Sequence, residues 1–164
     1  MISFSKRIIN NRMITLKTHS VNETKELGRK LGRLLKAGDI VALDGDLGAG
    51  KTAMTGGIAE GMGINARISS PTFTIVNEYP GALTLYHFDT YRLTGEDDFL
   101  DSGLDEYFDA GGVCVIEWSN IIDGLLPENT IRIAIVGTGD VRTICIDAPE
   151  DFDKLIREAL DGGL

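Results

Sequence analysis

A glycine-rich stretch, GDLGAGKT, continues directly from the apolar run DIVALDG and limits the folds that this chain can adopt. Its residues Gly45, Gly50, Lys51 and Thr52 match the phosphate-binding pattern G-x-x-x-x-G-K-[ST]. In that pattern, glycines let backbone N–H groups approach anionic oxygens, and the following helix points its N-terminus at the phosphates. The sequence therefore predicts a buried strand, a phosphate-binding loop and a helix, in that order.

The polar residues of this loop have specific expected roles. Lys51 would reach the β- and γ-phosphates of a nucleotide, and the hydroxyl of Thr52 would bind Mg²⁺. We expect the nucleotide to contact the whole loop and the residue after it. These nucleotide-binding candidates are Gly45, Asp46, Leu47, Gly48, Ala49, Gly50, Lys51, Thr52 and Ala53.

A magnesium-dependent loop of this kind needs an acidic residue from another strand, and two apolar runs end in one. LTLYHFD ends in Asp89, and GVCVIE ends in Glu117. The second run is more continuously apolar, as expected for a central strand buried on both faces. We therefore assign Glu117 to the metal shell, directly or through water, and Asp89 to orienting or activating a water molecule. For either acid, simple capping of a strand end is the alternative.

A further candidate lies between the loop and these acids. The stretch SSPTFTIVNEY places a Ser-Pro-Thr turn before a strand-like run. That turn would carry Thr72 towards the γ-phosphate, in the manner of a switch threonine. Such turns are also common in loops with no catalytic role, so both interpretations of Thr72 stay open.

Composition and charge limit the number of domains and the classes of partner that this chain is expected to have. A chain of 164 residues with 43% hydrophobic and 25% charged residues is expected to form one compact domain. The formal net charge of −9 argues against a large nonspecific nucleic-acid surface. No apolar run is long enough to cross a bilayer and the N-terminus lacks signal-peptide features, so we expect a cytoplasmic protein. Cys114 and Cys145 lie in β-branched runs, and we expect both to be buried, reduced thiols.

Apolar periodicity divides the chain into alternating strands and helices. Leucines at helical spacing predict a helix in VNETKELGRKLGRLLKAGD, capped by Asn22 and ended by Gly38. We also predict a helix over 51–61, short acidic helices over 95–110, and a last helix in EDFDKLIREAL whose apolar stripe includes Leu155. TFTIVNEY and LTLYHFD are predicted strands joined by the turn PGA, and NTIRIAIVG and VRTICIDA are joined at TGD. This order predicts an α/β sandwich with a mixed central sheet.

Five motifs together identify a family. GDLGAGKT, SPTFTIVNEY, YHFDTYRL, GLDEYF and IEWSNII occur in this order and spacing, and together they resemble the TsaE (YjeE) family of bacterial ATPases, which is needed to make threonylcarbamoyladenosine in tRNA. The resemblance runs from about Met13 to Ile133. It implies a P-loop NTPase-type three-layer sandwich with a mixed, largely parallel sheet, in a single ATPase domain over 13–164. Residues 1–12 are predicted to be a disordered extension.

The resemblance also implies an activity and partners. Lys51 and Thr52 would bind phosphate and magnesium, Glu117 would be the acid on the magnesium side, and Asp89 would be catalytic. Trp118 would lie near the nucleotide, although a core aromatic at a strand end is the alternative. The implied reaction is Mg²⁺-dependent hydrolysis of ATP to ADP and phosphate. The implied partners are TsaB and TsaD, and TsaD transfers the threonylcarbamoyl group to adenosine beside the anticodon. Hydrolysis would reset that complex between turnovers, with no tight binding of tRNA by this chain itself.

Some positions depart from the family pattern, and some alternatives remain. Ala53 stands where a second Ser or Thr is frequent, Gly56 where an arginine is frequent, and Thr90 where leucine is common. A small-molecule kinase would share the loop but needs arginines over the transferred phosphate, and only Arg92 is well placed by motif. A GTPase should carry an N-K-x-D guanine reader, which this sequence lacks. A nucleotide-dependent scaffold without significant turnover is the third alternative.

Overall fold

The computed structural model describes residues 13–46 and 48–161. The predicted N-terminal extension, residues 1–12, lies outside the described residues, and so does Leu47 of the glycine-rich loop. Within the described ranges, no helix combines the length and the apolar character that crossing a bilayer requires.

The described residues form one seven-stranded sheet with the order β1-β7-β6-β2-β5-β4-β3. Its strands are β1 Ile14–Thr18, β2 Ile40–Gly45, β3 Val76–Tyr79, β4 Leu85–Asp89, β5 Val113–Glu117, β6 Ile131–Val136 and β7 Arg142–Asp147. The four central strands, β6, β2, β5 and β4, run parallel, while β3, β7 and β1 add antiparallel pairs at the two sides. The predicted α/β fold with a mixed, largely parallel sheet is confirmed.

Helices cover both faces of the sheet and make three layers. On one face lie α1 Val21–Leu34, α2 Lys51–Gly61 and α4 Glu150–Asp161, which share a core with the apolar side chains of β2, β5, β6 and β7. On the other face lie α3 Glu96–Asp101, a 3₁₀ helix over Leu104–Asp109 and an irregular 3₁₀ segment over Ser119–Leu125. Parallel strands covered on both sides are expected to be apolar throughout, as the run VCVI of β5 is.

The helix α2 lies unusually close to α1 because glycines face each other between them. A Cβ atom at Gly28 would lie 2.6 Å from the Met54 carbonyl oxygen, and one at Gly32 would lie 2.1 Å from the Ile58 carbonyl oxygen. From the α2 side, a Cβ at Gly61 would meet the Arg29 carbonyl oxygen at 2.2 Å. The backbones therefore touch, and this contact fixes the helix that begins at the glycine-rich loop.

Several predicted boundaries differ from the structure. The cap of α1 is Ser20, whose Oγ accepts the Glu23 amide at 3.1 Å, and Asn22 lies inside the helix. The serine has the extended backbone that a cap requires. The helix ends at Leu34, before the predicted stop at Gly38, because Leu35 turns into an extended conformation. In α4 the predicted apolar residue Leu155 is 43% exposed, since the helix buries a narrower stripe.

The strand predicted from TFTIVNEY is also shorter than expected. β3 comprises only Val76–Tyr79, and the residues before it form bends. Phe73 in that stretch is 99% exposed, so no sheet face buries it. The predicted pairing with LTLYHFD is confirmed, because β3 and β4 pair antiparallel from Val76 opposite Phe88 to Tyr79 opposite Leu85.

The two cysteines are unpaired thiols, as predicted. Cys114 is buried at the centre of the sheet, and burial raises the pKa of its thiol to about 12. Cys145 is only partly buried, so the prediction of burial is correct for one of the two.

Candidate functional site

The glycine-rich loop connects the end of β2 to the start of α2 at the carboxyl edge of the parallel strands. Gly50, directly before the first helical residue, has φ +108°, a conformation that side chains rarely adopt. Gly45 is needed for space, because a Cβ there would lie 2.6 Å from the Ile135 carbonyl oxygen on β6. The loop is therefore held against the sheet, and the open N-terminus of α2 faces the cleft.

Lys51, the first residue of α2, turns its ammonium back to the loop. Its Nζ donates to the carbonyl oxygens of Gly45 at 2.5 Å and Asp46 at 3.2 Å. The same nitrogen lies 4.3 Å from the ring centroid of Trp118. Burial lowers the pKa of Lys51, and nearby carboxylates, with Glu117 the strongest, oppose that shift. The lysine is thus a cation held by weak acceptors that a phosphate group could replace.

The two predicted acids meet at the ends of neighbouring strands. Asp89 ends β4 and Glu117 ends β5, and their Cα atoms are register partners in the parallel pair. Side chains of register partners point to the same face of a sheet, here the face covered by α2. Glu117 is 2% exposed, whereas Asp89 is partly exposed, with Oδ1 accepting the Tyr91 amide at 3.0 Å.

A buried histidine lies beside the more buried acid. His87, two residues before Asp89 on β4, is fully buried, and its Nε2 lies 3.2 Å from Oε2 of Glu117. Among the described residues, Oε1 of Glu117 is buried without a hydrogen-bond partner. The carboxylate therefore retains acceptor capacity that no neighbouring side chain uses.

Thr52 and the Ser-Pro-Thr segment meet, but through a different residue from the predicted one. Thr52 Oγ1 lies 3.1 Å from Ser70 Oγ, within hydrogen-bonding distance. Ser70 lines the cleft, whereas Thr72 is exposed and lies outside the lining. Sequence reasoning missed Ser70, although it is part of the same SSPT stretch and differs from Thr72 by two positions.

Trp118 follows β5 in a strained conformation. Its φ is 59°, and no other non-glycine residue in the part of the chain that the structure describes has a positive φ. This turn brings the indole over Lys51, and Tyr91 packs against it with ring centroids 4.9 Å apart. The hydroxyl of Thr90 donates to the carbonyl oxygens of Glu117 at 3.1 Å and Trp118 at 2.7 Å, which fixes the turn.

These groups enclose one cleft of about 250 Å³. Its lining residues are Gly48, Gly50, Lys51, Thr52, Ala53, Ser70, Asp89, Glu117 and Trp118. The structure thus brings together most of the predicted site residues from three separate stretches of chain. Gly45 and Asp46 contribute their carbonyl oxygens to Lys51 but do not line this cleft, and Leu47 lies outside the described residues.

A second, smaller cleft adjoins the first across the same loop. It is lined by Ser20, Val21, Thr24, Gly48, Ala49, Gly50, Ala53, Gly139, Asp140 and Arg142. Arg142, at the start of β7, donates from Nε to the Ala49 carbonyl oxygen at 2.8 Å and from Nη2 to the Gly48 carbonyl oxygen at 3.2 Å. No local sequence pattern predicts this contact, because Arg142 lies 93 positions from Ala49.

Another polar contact supports the loop from the opposite face of the sheet. The hydroxyl of Ser119 lies 2.8 Å from both carboxylate oxygens of Asp44, to which it donates. Burial raises the pKa of Asp44, and the hydrogen bonds from Ser119 partly oppose that rise. This pair joins the end of β2, which leads into the glycine-rich loop, to the turn after β5, which carries Trp118.

The donor atoms in the cleft suit a hard divalent cation. Thr52 supplies a hydroxyl, and Glu117 and Asp89 supply carboxylates, the oxygen ligands that Mg²⁺ prefers. Over residues 13–46 and 48–161, no group of three or more His, Cys, Asp or Glu side chains forms a cage for a metal. A magnesium ion here would therefore need additional ligands from water and from phosphate groups, as is usual for Mg²⁺ in nucleotide sites.

Comparison with known proteins identifies relatives over most of the chain. A family model described as Threonylcarbamoyl adenosine biosynthesis protein TsaE matches residues 18–144. A tRNA threonylcarbamoyladenosine biosynthesis protein TsaE from Bacillus subtilis is 49% identical over 131 residues, which cover 78% of this chain and 82% of the relative. The protein of the same description from Treponema pallidum is 47% identical over 118 residues, or 72% and 87% of the two chains.

A solved structure agrees with these sequence matches. The crystal structure of YdiB from Bacillus subtilis superposes with a TM-score of 0.74 at 37% identity, covering 93% of this chain and 97% of that one. The range matched by the family model, residues 18–144, spans the glycine-rich loop and both acidic strand ends. The chain belongs to the TsaE family, whose members take part in the biosynthesis of threonylcarbamoyladenosine in tRNA.

Proposed function

We infer that this protein binds ATP with Mg²⁺, hydrolyses it to ADP and phosphate, and thereby supports threonylcarbamoyladenosine formation by acting on TsaB- and TsaD-type proteins. The observation that carries the inference is the convergence of Lys51, Thr52, Asp89 and Glu117 on one cleft at the N-terminus of α2. A cation, a metal-binding hydroxyl and two carboxylates at a helix N-terminus are the groups that phosphoryl transfer to water requires.

The phosphates would occupy the cleft at the start of α2. Backbone N–H groups at this end are not used within the helix, and they favour anionic oxygens. Lys51 would exchange the carbonyl oxygens of Gly45 and Asp46 for phosphate oxygens, which are stronger acceptors for an ammonium group. A bound phosphate would also stabilise the charged form of Lys51 against the burial that lowers its pKa.

The two acids, Glu117 and Asp89, would have different roles in the reaction. Glu117 and the Thr52 hydroxyl would hold Mg²⁺, directly or through water. When bound, the ion would offset negative charge on the phosphate oxygens. Asp89, anchored through the Tyr91 amide, would orient or activate the attacking water.

The adenosine portion would lie in the second cleft. The two clefts share Gly48, Gly50 and Ala53, so a nucleotide whose phosphates lie at Lys51 would extend across the loop into it. Adenine is favoured over guanine because the sequence has no N-K-x-D motif.

ATP would also change the segment that carries Ser70. In this structure the Thr52 hydroxyl is hydrogen-bonded to Ser70, and a magnesium ligand role would redirect that hydroxyl. The segment would then rearrange around the γ-phosphate, together with the exposed Phe73 and Thr72, and form a surface that docks on the partner proteins. Loss of the γ-phosphate would release the surface, as in other nucleotide switches.

The metal role of Thr52 provides the direct test. Thr52→Ala should bind ATP in EDTA like the wild type but lose most of the tightening that Mg²⁺ produces, because the hydroxyl is gone. Thr52→Ser, which keeps the hydroxyl, is the matched control and should behave like the wild type. Calorimetric titration of ATP with and without Mg²⁺ measures both quantities, and unchanged magnesium dependence in Thr52→Ala would contradict the assignment.

A second measurement separates turnover from switching. Phosphate release is followed in parallel with capture of TsaB- and TsaD-type proteins in the presence of ATP. Capture that requires ATP without any phosphate release would favour the nucleotide-dependent scaffold over the ATPase.

A further inference from the structure

His87 is an unusual residue for the place it occupies. It lies in the interior of β4, fully buried, on the sheet face where its neighbours Leu85 and Val115 pack into the apolar core shared with α1 and α2. Within the described parts of the chain, neither ring nitrogen has an aligned hydrogen bond. Burying an imidazole without hydrogen bonds has a free-energy cost, and an apolar side chain such as that of Leu85 would avoid it. The packing of the core therefore does not explain the histidine.

The position of the ring offers an explanation. Nε2 of His87 lies 3.2 Å from Oε2 of Glu117, the carboxylate proposed to act at magnesium. His87 and Asp89 lie on the same face of β4, because they are two residues apart in a strand. Since Asp89 is the register partner of Glu117, His87 is the diagonal neighbour one step deeper in the sheet. The imidazole thus contacts the carboxylate from the buried side, away from the cleft opening.

The backbone around Glu117 is already fixed by other groups. Thr90 holds its carbonyl oxygen, and parallel pairing with β2 and β4 holds the strand. These contacts fix the backbone but not the torsion angles of the Glu117 side chain. The imidazole of His87 contacts the carboxylate at the end of that side chain. Groups that contact a metal ligand from behind commonly orient it.

We propose that His87 is a positioning residue that donates from Nε2–H to Oε2 of Glu117 and leaves the second oxygen free for the magnesium shell. The distance in this structure is short enough for that bond although the alignment is poor, and such bonds tighten when the ligand binds. The proposal rests on the proposed metal role of Glu117, and it assigns His87 no contact with the nucleotide.

The test compares His87→Leu with His87→Gln. Leucine keeps the bulk and removes the donor, whereas glutamine can place an amide N–H near the position of Nε2. We expect His87→Leu to bind ATP in EDTA like the wild type but to need about tenfold more Mg²⁺ for half-maximal tightening, and His87→Gln to restore most of the wild-type response. Calorimetric titration of Mg²⁺ into the protein with ATP measures this without relying on turnover.

Two further variants separate positioning from packing. Phe88→Leu alters the same strand on its other face, away from Glu117, and should leave the magnesium response unchanged. In a Glu117→Gln background, adding His87→Leu should produce no further loss, because a residue that acts through Glu117 has nothing left to orient.

The outcomes distinguish this proposal from the proposed function. If the wild type shows no magnesium-dependent tightening, the metal role of Glu117 fails and the proposal for His87 fails with it. If the wild type responds while His87→Leu responds equally, or if His87→Gln is as impaired as His87→Leu, the positioning role alone is overturned. Unfolding of both His87 variants would overturn it too, since it would assign the residue to the core.

Discussion

At the scale of single residues, the site contains two carboxylates whose surroundings differ although they are register partners. Glu117 is buried against His87, while Asp89 is partly open and anchored by a backbone amide. A buried carboxylate with spare acceptor capacity is suited to a cation, and a more open one is suited to water. The difference in environment is the physical basis for assigning them different roles.

This difference predicts different kinetic effects for two isosteric changes. Asp89→Asn should lower the rate of phosphate release by roughly 10²–10⁴-fold, the usual contribution of a general base, while ATP affinity stays near that of the wild type. Glu117→Gln should lower turnover and also raise the Mg²⁺ concentration needed for tight ATP binding. Single-turnover phosphate release and equilibrium ATP binding, measured on both variants, test the division. An equal loss of ATP binding in both would put both acids in the metal shell.

Local sequence pattern predicts some residues of the site and not others. The placement of Lys51, Thr52, Asp89 and Glu117 at one edge of the sheet could be predicted, because each lies in the first turn of a helix or at the end of a strand that local pattern identifies. Ser70 could not be chosen over Thr72, because both lie in an irregular stretch where two positions change which side chain enters the cleft. Contacts such as that of Arg142 with the loop depend on the order of strands in the sheet, which local pattern does not encode.

At the scale of elements, the helix α2 is held in place by its contact with α1. The glycines of both helices allow backbone contact, and an added methyl group would overlap main-chain atoms that cannot move independently. Intrinsic helix propensity opposes this choice, because Gly is less favourable than Ala by about 1 kcal/mol inside a helix. Close packing therefore outweighs propensity at these positions.

Two Gly→Ala changes test that balance. Gly32→Ala should destabilise the protein by about 1–3 kcal/mol or more, because the new Cβ would lie 2.1 Å from the Ile58 carbonyl oxygen. Gly56→Ala is the matched control, since its nearest neighbour would be the flexible Lys25 side chain at 3.8 Å, and it should stabilise by up to about 1 kcal/mol. Urea unfolding of the two variants gives the free energies. Stabilisation by Gly32→Ala would show that the helices can separate at little cost.

The elements were predictable where one physical signal dominated. The continuous apolar run of β5 identified a central strand, and helix 51–61 followed from the loop that precedes it. Predictions failed at the ends of helices and strands, where neighbouring residues compete for the same capping or pairing role. Ser20 was the better cap than Asn22 because the chain is extended there. The strand did not begin before Val76 because its partner β4 ends at Asp89, one residue beyond the pair Val76–Phe88.

At the scale of the whole molecule, net charge and exposed apolar groups bear on which class of macromolecule this protein would contact. The net charge is −9, and the sequence between Leu93 and Ile131 is rich in Asp and Glu with no Lys or Arg. Such a surface repels the phosphate backbone of tRNA. Phe73, which is 99% exposed three residues after the cleft-lining Ser70, is instead a group that a protein partner can bury. A tRNA-modification role is therefore compatible with contact to protein and not to RNA.

The proposed switch requires that capture of the partner proteins depend on the bound nucleotide. Capture of TsaB- and TsaD-type proteins should be stronger with a non-hydrolysable ATP analogue than with ADP, because only a difference in affinity between the two states can drive a switch. Phe73→Ser should weaken that capture by about tenfold or more while ATP binding is unchanged, since a buried aromatic anchor commonly contributes over 1 kcal/mol to an interface. Leu155→Ser, which alters an exposed apolar residue on α4, is the matched control and should leave capture intact.

Labelled tRNA titrated into the isolated protein at physiological salt should bind weakly, and the weak binding should not depend on Phe73. Pull-down with each nucleotide and fluorescence anisotropy of the tRNA measure the two halves independently. Tight binding of free tRNA would contradict the protein-directed mechanism, because the acidic surface would then not exclude RNA. Equal capture with the ATP analogue and with ADP would contradict the switch itself, because hydrolysis of ATP would then not change the affinity for the partner proteins.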